Sequence, residues 1–315
     1  MPGSAQTPEA VLRRLEWTVV RRLDGLLQGD YRSLFRGSGI DLANLREYQE
    51  GDDIRYVDWN LTARMDALHV REYQEDRQVT AWFLLDLSGS VDFGSDAVSK
   101  RAVLAEFVAV LARLLTGRGN RCAAMLFSGG VDRIVPPRTG RRQVLHLLEL
   151  LGSRPRLVRS PATDLGAVLR QAGNVVRRHS LLFVVSDFIS KPGWEQALGF
   201  LARRHDVIAI RLSDPSETRL PDLGMLAFQD AETGEQLLVD THDRGFRRRF
   251  MSAAQREQES LRGAFANAGV DCLELSTDDD LLDALMRFAQ MRKQRTGGGA
   301  SLPAHLFAPT AGMAS

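Results

Sequence analysis

Apolar residues follow two patterns along this chain, short unbroken runs and longer helical stripes. The runs VTAWFLLDLS, HSLLFVVSDF and DVIAIRLSD lack the alternation of a half-exposed strand, which is typical of strands covered on both faces of a parallel sheet. Between them, helical spacing of apolar residues covers 99–116, 141–151, 164–178 and 194–204. This order of elements predicts an α/β fold with a doubly wound, mostly parallel sheet.

The segments on either side have different patterns. Thr7, Pro8 and Glu9 form a helix-start signal, and an amphipathic helix is predicted over 8–28. Residues 36–76 interleave opposite charges with aromatic residues, which leaves two interpretations open, an internal network of ion pairs or a surface that binds a partner. Beyond the main sheet, the sequence predicts a hairpin turning near 233–234, a helix over 244–268, a strand at 269–276 and a last helix over 279–293.

We therefore divide the chain into three parts. Residues 1–76 hold the N-terminal helix and the charged strand and turn segment, expected to pack on the main domain, which covers 77–293. Residues 294–315 are rich in Gly, Ala, Ser and Pro without periodicity and are expected to be a disordered tail.

The amino-acid composition argues against several classes of binding partner. With 41 basic and 40 acidic residues, the net charge of +1 gives no overall field that would attract nucleic acid or a membrane. Neither a signal-peptide pattern nor an apolar run of membrane-spanning length is evident, so a cytoplasmic protein is expected. The two cysteines and six histidines lack zinc-site spacing, so a bound metal should be a hard cation held by oxygen.

Oxygen-bearing side chains follow the apolar strands at three places. Asp86, Ser88 and Ser90 come where WFLLD ends, and residues two apart can point toward one place as a strand ends. Thr163 precedes a predicted helix, and Asp187 follows LLFVVS. Because parallel strands end at one edge of the sheet, the five side chains are expected to meet there and bind Mg²⁺ or Mn²⁺.

A second explanation of these residues remains open, in which the hydroxyls cap helices and the aspartates only end strands. It accounts for each residue singly but not for their convergence. We expect no enzyme here, because no histidine or lysine stands directly next to Asp86, Thr163 or Asp187 in their loops to serve in catalysis.

The spacing of Asp86, Ser88 and Ser90, followed by Thr163 and Asp187, resembles the metal-ion-dependent adhesion site of von Willebrand factor type A domains. The resemblance implies that the first four bind the metal directly or through water and that Asp187 completes the shell. The chain would then bind an acidic side chain of a protein partner through the metal, without catalysis.

The segments LREYQEGDDIRYVDWNLTAR and LHVREYQED resemble the hallmark of a bacterial family, domain of unknown function 58, over roughly residues 30 to 290. Members of that family carry such a domain and are often encoded beside MoxR-type AAA+ ATPases, so the resemblance implies an adaptor or substrate-recognition partner of such an ATPase. The chain has no G-x-x-x-x-G-K-[ST] motif, so the partner would supply nucleotide hydrolysis. Many members also have membrane helices, but the sequence shows no such helix, so the resemblance does not imply a membrane-associated role.

Four further residues are candidate contacts with the partner. Arg138, Arg141 and Arg142 belong to an arginine-rich stretch that ends shortly before Thr163, and Asp164 follows that threonine directly. The arginines are expected to flank the metal crevice and favour an acidic partner, although such a run is more often solvated surface.

Two other functions are weighed against this one. A metal-dependent phosphatase or hydrolase would use Asp86 as nucleophile, but it predicts a second acid at position 88, where a serine stands. Nucleic-acid binding through the arginine stretch is disfavoured by the balanced charge and by the lack of a recognised base-reading motif.

Overall fold

The structure is a computed structural model, and it describes residues 7–21, 23, 45–49, 57, 62, 67–71, 79–94, 98–154, 163–229 and 236–297. Most of the charged segment 36–76 and all residues beyond 297 lie outside the described residues. The ion-pair network of that segment and the disordered tail therefore stay predictions.

Ten strands are found in the described part of the chain. They are β1 (Leu45–Glu47), β2 (His69–Arg71), β3 (Thr80–Asp86), β4 (Arg121–Phe127), β5 (Val131–Arg138), β6 (Leu181–Ser186), β7 (Asp206–Ser213), β8 (Met225–Gln229), β9 (Gln236–Asp240) and β10 (Asp271–Ser276). The α-helices described are α1 (Pro8–Leu15), α2 (Lys100–Gly117), α3 (Arg141–Ser153), α4 (Leu165–Val175), α5 (Trp194–Ala202), α6 (Arg244–Ala268) and α7 (Leu281–Gly297).

Six of the strands form one sheet in the order β10-β7-β6-β3-β4-β5. All neighbours in it are parallel except β4 and β5, which form an antiparallel pair at one edge. The first strand of the apolar pattern, β3, lies between β4 and β6, which explains why it is apolar throughout. The predicted doubly wound, mostly parallel sheet is confirmed.

Alternate side chains of β3 enter two separate cores. Phe83 and Leu85 pack in a cluster that includes apolar residues of α1, α2, α3 and α7. Trp82 and Leu84 pack on the other face, with α4, α5 and α6. Each large side chain buried in this way contributes about 1.5 to 3 kcal/mol through the hydrophobic effect. The two cores fix the sheet rigidly between helical layers.

The N-terminal helix belongs to the first of these cores. Thr7 caps α1, because its hydroxyl accepts a hydrogen bond from Ala10 N at 3.3 Å, and Leu12 and Leu15 are buried in this core, where α1 packs on α2 and α3. The helix continues through a π-helical turn over Glu16–Val20, and residues 24–44 lie outside the described part. At the other end of the chain, α7 extends to Gly297, beyond the predicted helix end at 293.

Strand direction defines two edges that matter below. The carboxyl edge is where β3, β4, β6, β7 and β10 end, and the opposite edge is where they begin. Strand β5 runs the other way, so it ends at the opposite edge. No helix among the described residues is both long and apolar enough to cross a membrane.

Candidate functional site

Asp86 is the last residue of β3 and is fully buried at the carboxyl edge. Its Oδ1 accepts a hydrogen bond from Ser88 N at 2.9 Å, and its Oδ2 accepts one from Ser186 Oγ at 2.6 Å. These bonds fold the chain back after the strand, into a 3₁₀ turn over Gly89–Asp92. The hydroxyl oxygens of Ser88 and Ser90 then lie 3.0 Å apart. The three residues of the D-x-S-x-S pattern are thus brought together as predicted from their spacing.

Asp187 reaches the same place from the neighbouring strand, β6. Burial, and then the negative charge of Asp187, raise the pKa of Asp86 to about 7. Asp187 Oδ1 accepts from Ile189 N at 3.1 Å, and Oδ2 accepts from the ammonium of Lys100 at 2.9 Å. Two carboxylates close enough to repel each other therefore lie at the end of two adjacent strands.

A turn after β6 holds Asp187 in place. Phe188 has a φ of 61°, in the left-handed region that an aromatic residue rarely adopts. Its amide donates to Ser186 Oγ at 2.9 Å, and its ring packs on Trp194 and Phe265 at centroid distances of 5.2 and 4.8 Å. Strained backbone held by packing is frequent at functional sites.

Thr163 is placed beside this turn by its own backbone. The carbonyl of Thr163 accepts from Ser190 Oγ at 2.8 Å and from Lys191 N at 3.1 Å, so the loop before α4 lies against the loop that follows Asp187. The Thr163 side chain is buried, yet among the described residues its Oγ1 has no hydrogen-bond partner. An unsatisfied buried hydroxyl costs about 1 to 3 kcal/mol, so a ligand that reached this oxygen would remove that cost.

The donor set fits a hard divalent cation better than a softer metal such as zinc or copper. It offers two carboxylates and three hydroxyls, the oxygen ligands that Mg²⁺ and Mn²⁺ accept. Within the described part of the chain, no group of three or more His, Cys, Asp or Glu residues is arranged to hold a metal ion. A metal here would therefore depend on the hydroxyls of Ser88, Ser90 and Thr163.

A lysine lies at the site, and it comes from a helix rather than from one of the three loops that were considered in the sequence. Lys100 is the first residue of α2, 1% exposed, and its Nζ donates to Asp187 Oδ2 and, at 2.6 Å, to Glu217 Oε1. Burial opposes its charge, but Asp187 and Glu217 outweigh burial and raise the pKa of Lys100, so it is an ammonium at neutral pH. Only the packing of α2 over the sheet brings it near Asp187.

Two more residues of the site were missed from the sequence. Ser186 donates to Asp86, and Glu217, in the 3₁₀ turn after β7, pairs with Lys100. A polar residue that ends an otherwise apolar strand, as Ser186 does, is a signal that could have been used. A lysine in the first helical turn is another, because acidic residues are favoured there.

The four candidate partner contacts are placed less favourably. Asp164 caps α4, because its Oδ1 accepts from Ala167 N at 2.8 Å. Arg138 is paired with Cys122 near the start of β4, and α3 begins at Arg141 on that same side. The expectation that Arg138, Arg141 and Arg142 flank the metal crevice is therefore wrong, because β5 is antiparallel and carries them to the opposite edge. Partner binding by these residues stays a prediction.

Known proteins were compared with the whole chain. The family model described as "Protein of unknown function DUF58" matches residues 44–260. The uncharacterized protein Rv1480 of Mycobacterium tuberculosis is 35% identical over 287 residues, covering 90% of each chain.

Solved structures with a similar arrangement are more distant. The conserved hypothetical protein BatB of Bacteroides thetaiotaomicron is 13% identical at a TM-score of 0.44, covering 70% of this chain and 100% of that one. The VWA domain of SpRpn10 is 12% identical at a TM-score of 0.36, covering 67% and 94%. The family match spans well over half of the chain, and a relative matches it along nearly its full length. The chain thus belongs to the family described as Protein of unknown function DUF58.

Proposed function

We propose that this chain is a metal-dependent protein-interaction module. In this proposal Mg²⁺ or Mn²⁺ binds at the carboxyl edge to five residues, Asp86, Ser88, Ser90, Thr163 and Asp187. A divalent cation held by two carboxylates and neutral hydroxyls supplies an exchangeable coordination position, which an acidic side chain of a partner can fill. The observation that carries the proposal is the buried hydroxyl of Thr163, which lacks a partner among the described residues.

The surrounding residues would keep the site rigid. Asp86 is oriented by Ser88 N and Ser186 Oγ, and Asp187 by Ile189 N and Lys100. Each carboxylate thus keeps one orientation while lone pairs remain for a cation. Because the carboxylates are already fixed, little conformational entropy is lost when the metal and the partner bind. A partner could then bind and leave without rearrangement of the loops.

The same contacts weigh against the phosphatase alternative. A nucleophilic Asp86 would have to reach the reacting atom of a substrate, yet the side chain is fully buried, whereas a small cation needs only a lone pair. The position of Asp86 therefore suits metal binding better than covalent catalysis.

For the partner, we propose a MoxR-type AAA+ ATPase, with the chain acting as its adaptor or substrate-recognition partner. This part rests on the family resemblance, and the missing nucleotide-binding motif agrees with it, because in such a pair the ATPase and not this chain would hydrolyse ATP. The test is isothermal titration of the purified ATPase into the purified chain, with Mg²⁺ and with a chelator. Binding that is lost with chelator, and lost in Asp86→Ala with Mg²⁺ present, supports the proposal, whereas equal affinity in all conditions contradicts it.

The metal site has a sharper test in Thr163→Val, which removes one oxygen and keeps the shape of the side chain. Because the hydroxyl is unsatisfied without metal, the variant should be more stable than wild type by about 1 kcal/mol in chelator. Its affinity for Mg²⁺ or Mn²⁺ should fall roughly tenfold or more through loss of a ligand. Urea denaturation and calorimetric metal titration measure the two effects.

Thr116→Val is the matched control. The Thr116 hydroxyl is also buried, but it donates to Ala112 O at 2.7 Å near the end of α2, away from the site. This control should lose stability and keep its metal affinity. Equal metal affinity in Thr163→Val and wild type would remove Thr163 from the ligand set, and a wild type that binds neither ion would overturn the proposal.

A further inference from the structure

Lys100 is an unusual residue to find at the start of α2. The N-terminus of a helix carries a partial positive charge, so a cation in the first turn is disfavoured there. The side chain is also almost completely buried, which adds the cost of removing an ammonium from water. The attraction between the ammonium and its partners must outweigh both unfavourable effects.

These partners fix the ammonium beside the candidate metal ligands. Lys100 Nζ donates to Asp187 Oδ2 at 2.9 Å and to Glu217 Oε1 at 2.6 Å. The second oxygen of each carboxylate accepts a backbone amide, from Ile189 to Asp187 at 3.1 Å and from Asp214 to Glu217 at 3.2 Å. In the described part of the chain, the hydrogen bonds of this ammonium go to Asp187 and Glu217 and leave the hydroxyl of Thr163 unsatisfied.

The charges of the cluster match one divalent cation. Asp86, Asp187 and Glu217 bring three negative charges when ionised, and Lys100 brings one positive charge. Two negative charges remain unbalanced. A cation bound between Asp86 and Asp187 would share the Asp187 carboxylate with the ammonium, and the two positive charges would repel each other strongly in a buried environment.

We propose that Lys100 and Glu217 together set the affinity of the metal site, Lys100 by weakening it through repulsion and Glu217 by offsetting that repulsion. The inference rests on the proposed function of the site. One consequence is cooperative binding. The ammonium keeps the cation weakly held until a carboxylate of the partner adds a further negative charge, so metal and partner bind more tightly together than either does alone.

Three variants test this charge arrangement, all measured at one pH of about 8. Lys100→Met should bind Mn²⁺ about tenfold more tightly than wild type, and Glu217→Gln about tenfold more weakly. The double variant keeps the two unbalanced charges of Asp86 and Asp187, and its affinity should return to within about threefold of wild type. Calorimetric titration with Mn²⁺ alone measures all four proteins.

The opposite signs separate this inference from a structural role of Lys100. If the lysine only holds Asp187 in place, Lys100→Met weakens metal binding and the inference is overturned. Glu217→Gln keeps the size of a partly exposed side chain, so its weakening can be measured even where Lys100→Met is less stable.

The matched control is the pair Arg113→Met and Glu16→Gln, which removes another ion pair of α2, with a nitrogen to oxygen distance of 2.6 Å, remote from the site. These two variants should keep the metal affinity of wild type.

Failure of the proposed function is distinguishable from failure of the inference. Metal binding by Lys100→Met but not by wild type supports the inference and overturns the function. Binding by none of the proteins overturns both, and binding by wild type without the opposite shifts overturns the inference alone.

Discussion

At the scale of single residues, the carboxyl edge brings buried carboxylates close together, an arrangement that does not stabilise the fold. Asp86 is buried beside Asp187, and its pKa of about 7 means that the fold without metal favours the protonated acid. A cation would reverse this preference, since it stabilises the ionised form. The raised pKa therefore links the stability of the fold to the metal and to pH.

This linkage predicts how stability depends on pH. In the unfolded chain Asp86 ionises near its ordinary pKa of 3.8, whereas in the folded chain it keeps its proton up to about pH 7. The folded state thus binds more protons at Asp86 between these values, so the contribution of Asp86 to the stability of the metal-free protein falls as pH rises through that window. Asp86→Asn cannot ionise and lacks this loss, so its free energy of unfolding should exceed that of wild type by a margin that grows by roughly 1.4 kcal/mol for each pH unit up to about pH 7.

Urea denaturation in chelator from pH 4 to 8 measures both curves. Metal should bind wild type about tenfold more weakly for each pH unit below 7, because the proton must leave first. Parallel stability curves for wild type and Asp86→Asn would contradict the assignment of the raised pKa to Asp86.

Sequence reasoning could reach only the residues whose relation is local or set by strand ends. The two-residue spacing of Asp86, Ser88 and Ser90 fixes their proximity, and apolar runs place Asp187 after a strand. Lys100 and Glu217 meet at Asp187 only because β6 lies between β3 and β7 and α2 packs above them. No periodicity in one sequence records that order of strands.

At the scale of elements, the direction of one strand decided which predictions failed. The helices and strands of the main domain were found within a few residues of their predicted bounds, because their apolar patterns are long and regular. Strand β5, however, is antiparallel to β4, as the three-residue connection over 128–130 requires, and it moves Arg138 away from the crevice. Errors at this scale came from topology, not from secondary structure.

The cap of α4 offers a prediction about Asp164. Its carboxylate accepts the amide of Ala167, so Asp164→Ala should lower the free energy of unfolding by about 1 kcal/mol, while Asp164→Asn keeps an accepting oxygen and should stay close to wild type. Thermal denaturation measures both. If Asp164→Asn keeps its stability but loses affinity for the partner, Asp164 also contacts the partner, as the sequence first indicated.

At the scale of the whole molecule, the two edges of the sheet carry different ionisable groups. The carboxyl edge holds the carboxylates and Lys100, and the opposite edge holds His205, which precedes β7. His205 is buried, and among the described residues neither ring nitrogen has a hydrogen-bond partner. Burial, followed by the charges of Arg204 and His179, lowers its pKa below 6.5.

This histidine should therefore limit stability in acid, independently of the metal. A folded-state pKa below that of the unfolded chain means that unfolding takes up a proton, so stability is lost as pH falls below about 6.5. His205→Leu removes the ionisable group and two unsatisfied nitrogens, and should raise stability by about 1 kcal/mol at pH 7 and by more at pH 5. Its metal affinity should equal that of wild type, because the two edges are separated by the length of the strands. A variant that altered metal affinity as strongly as Thr163→Val does would show instead that the two edges are coupled through the sheet.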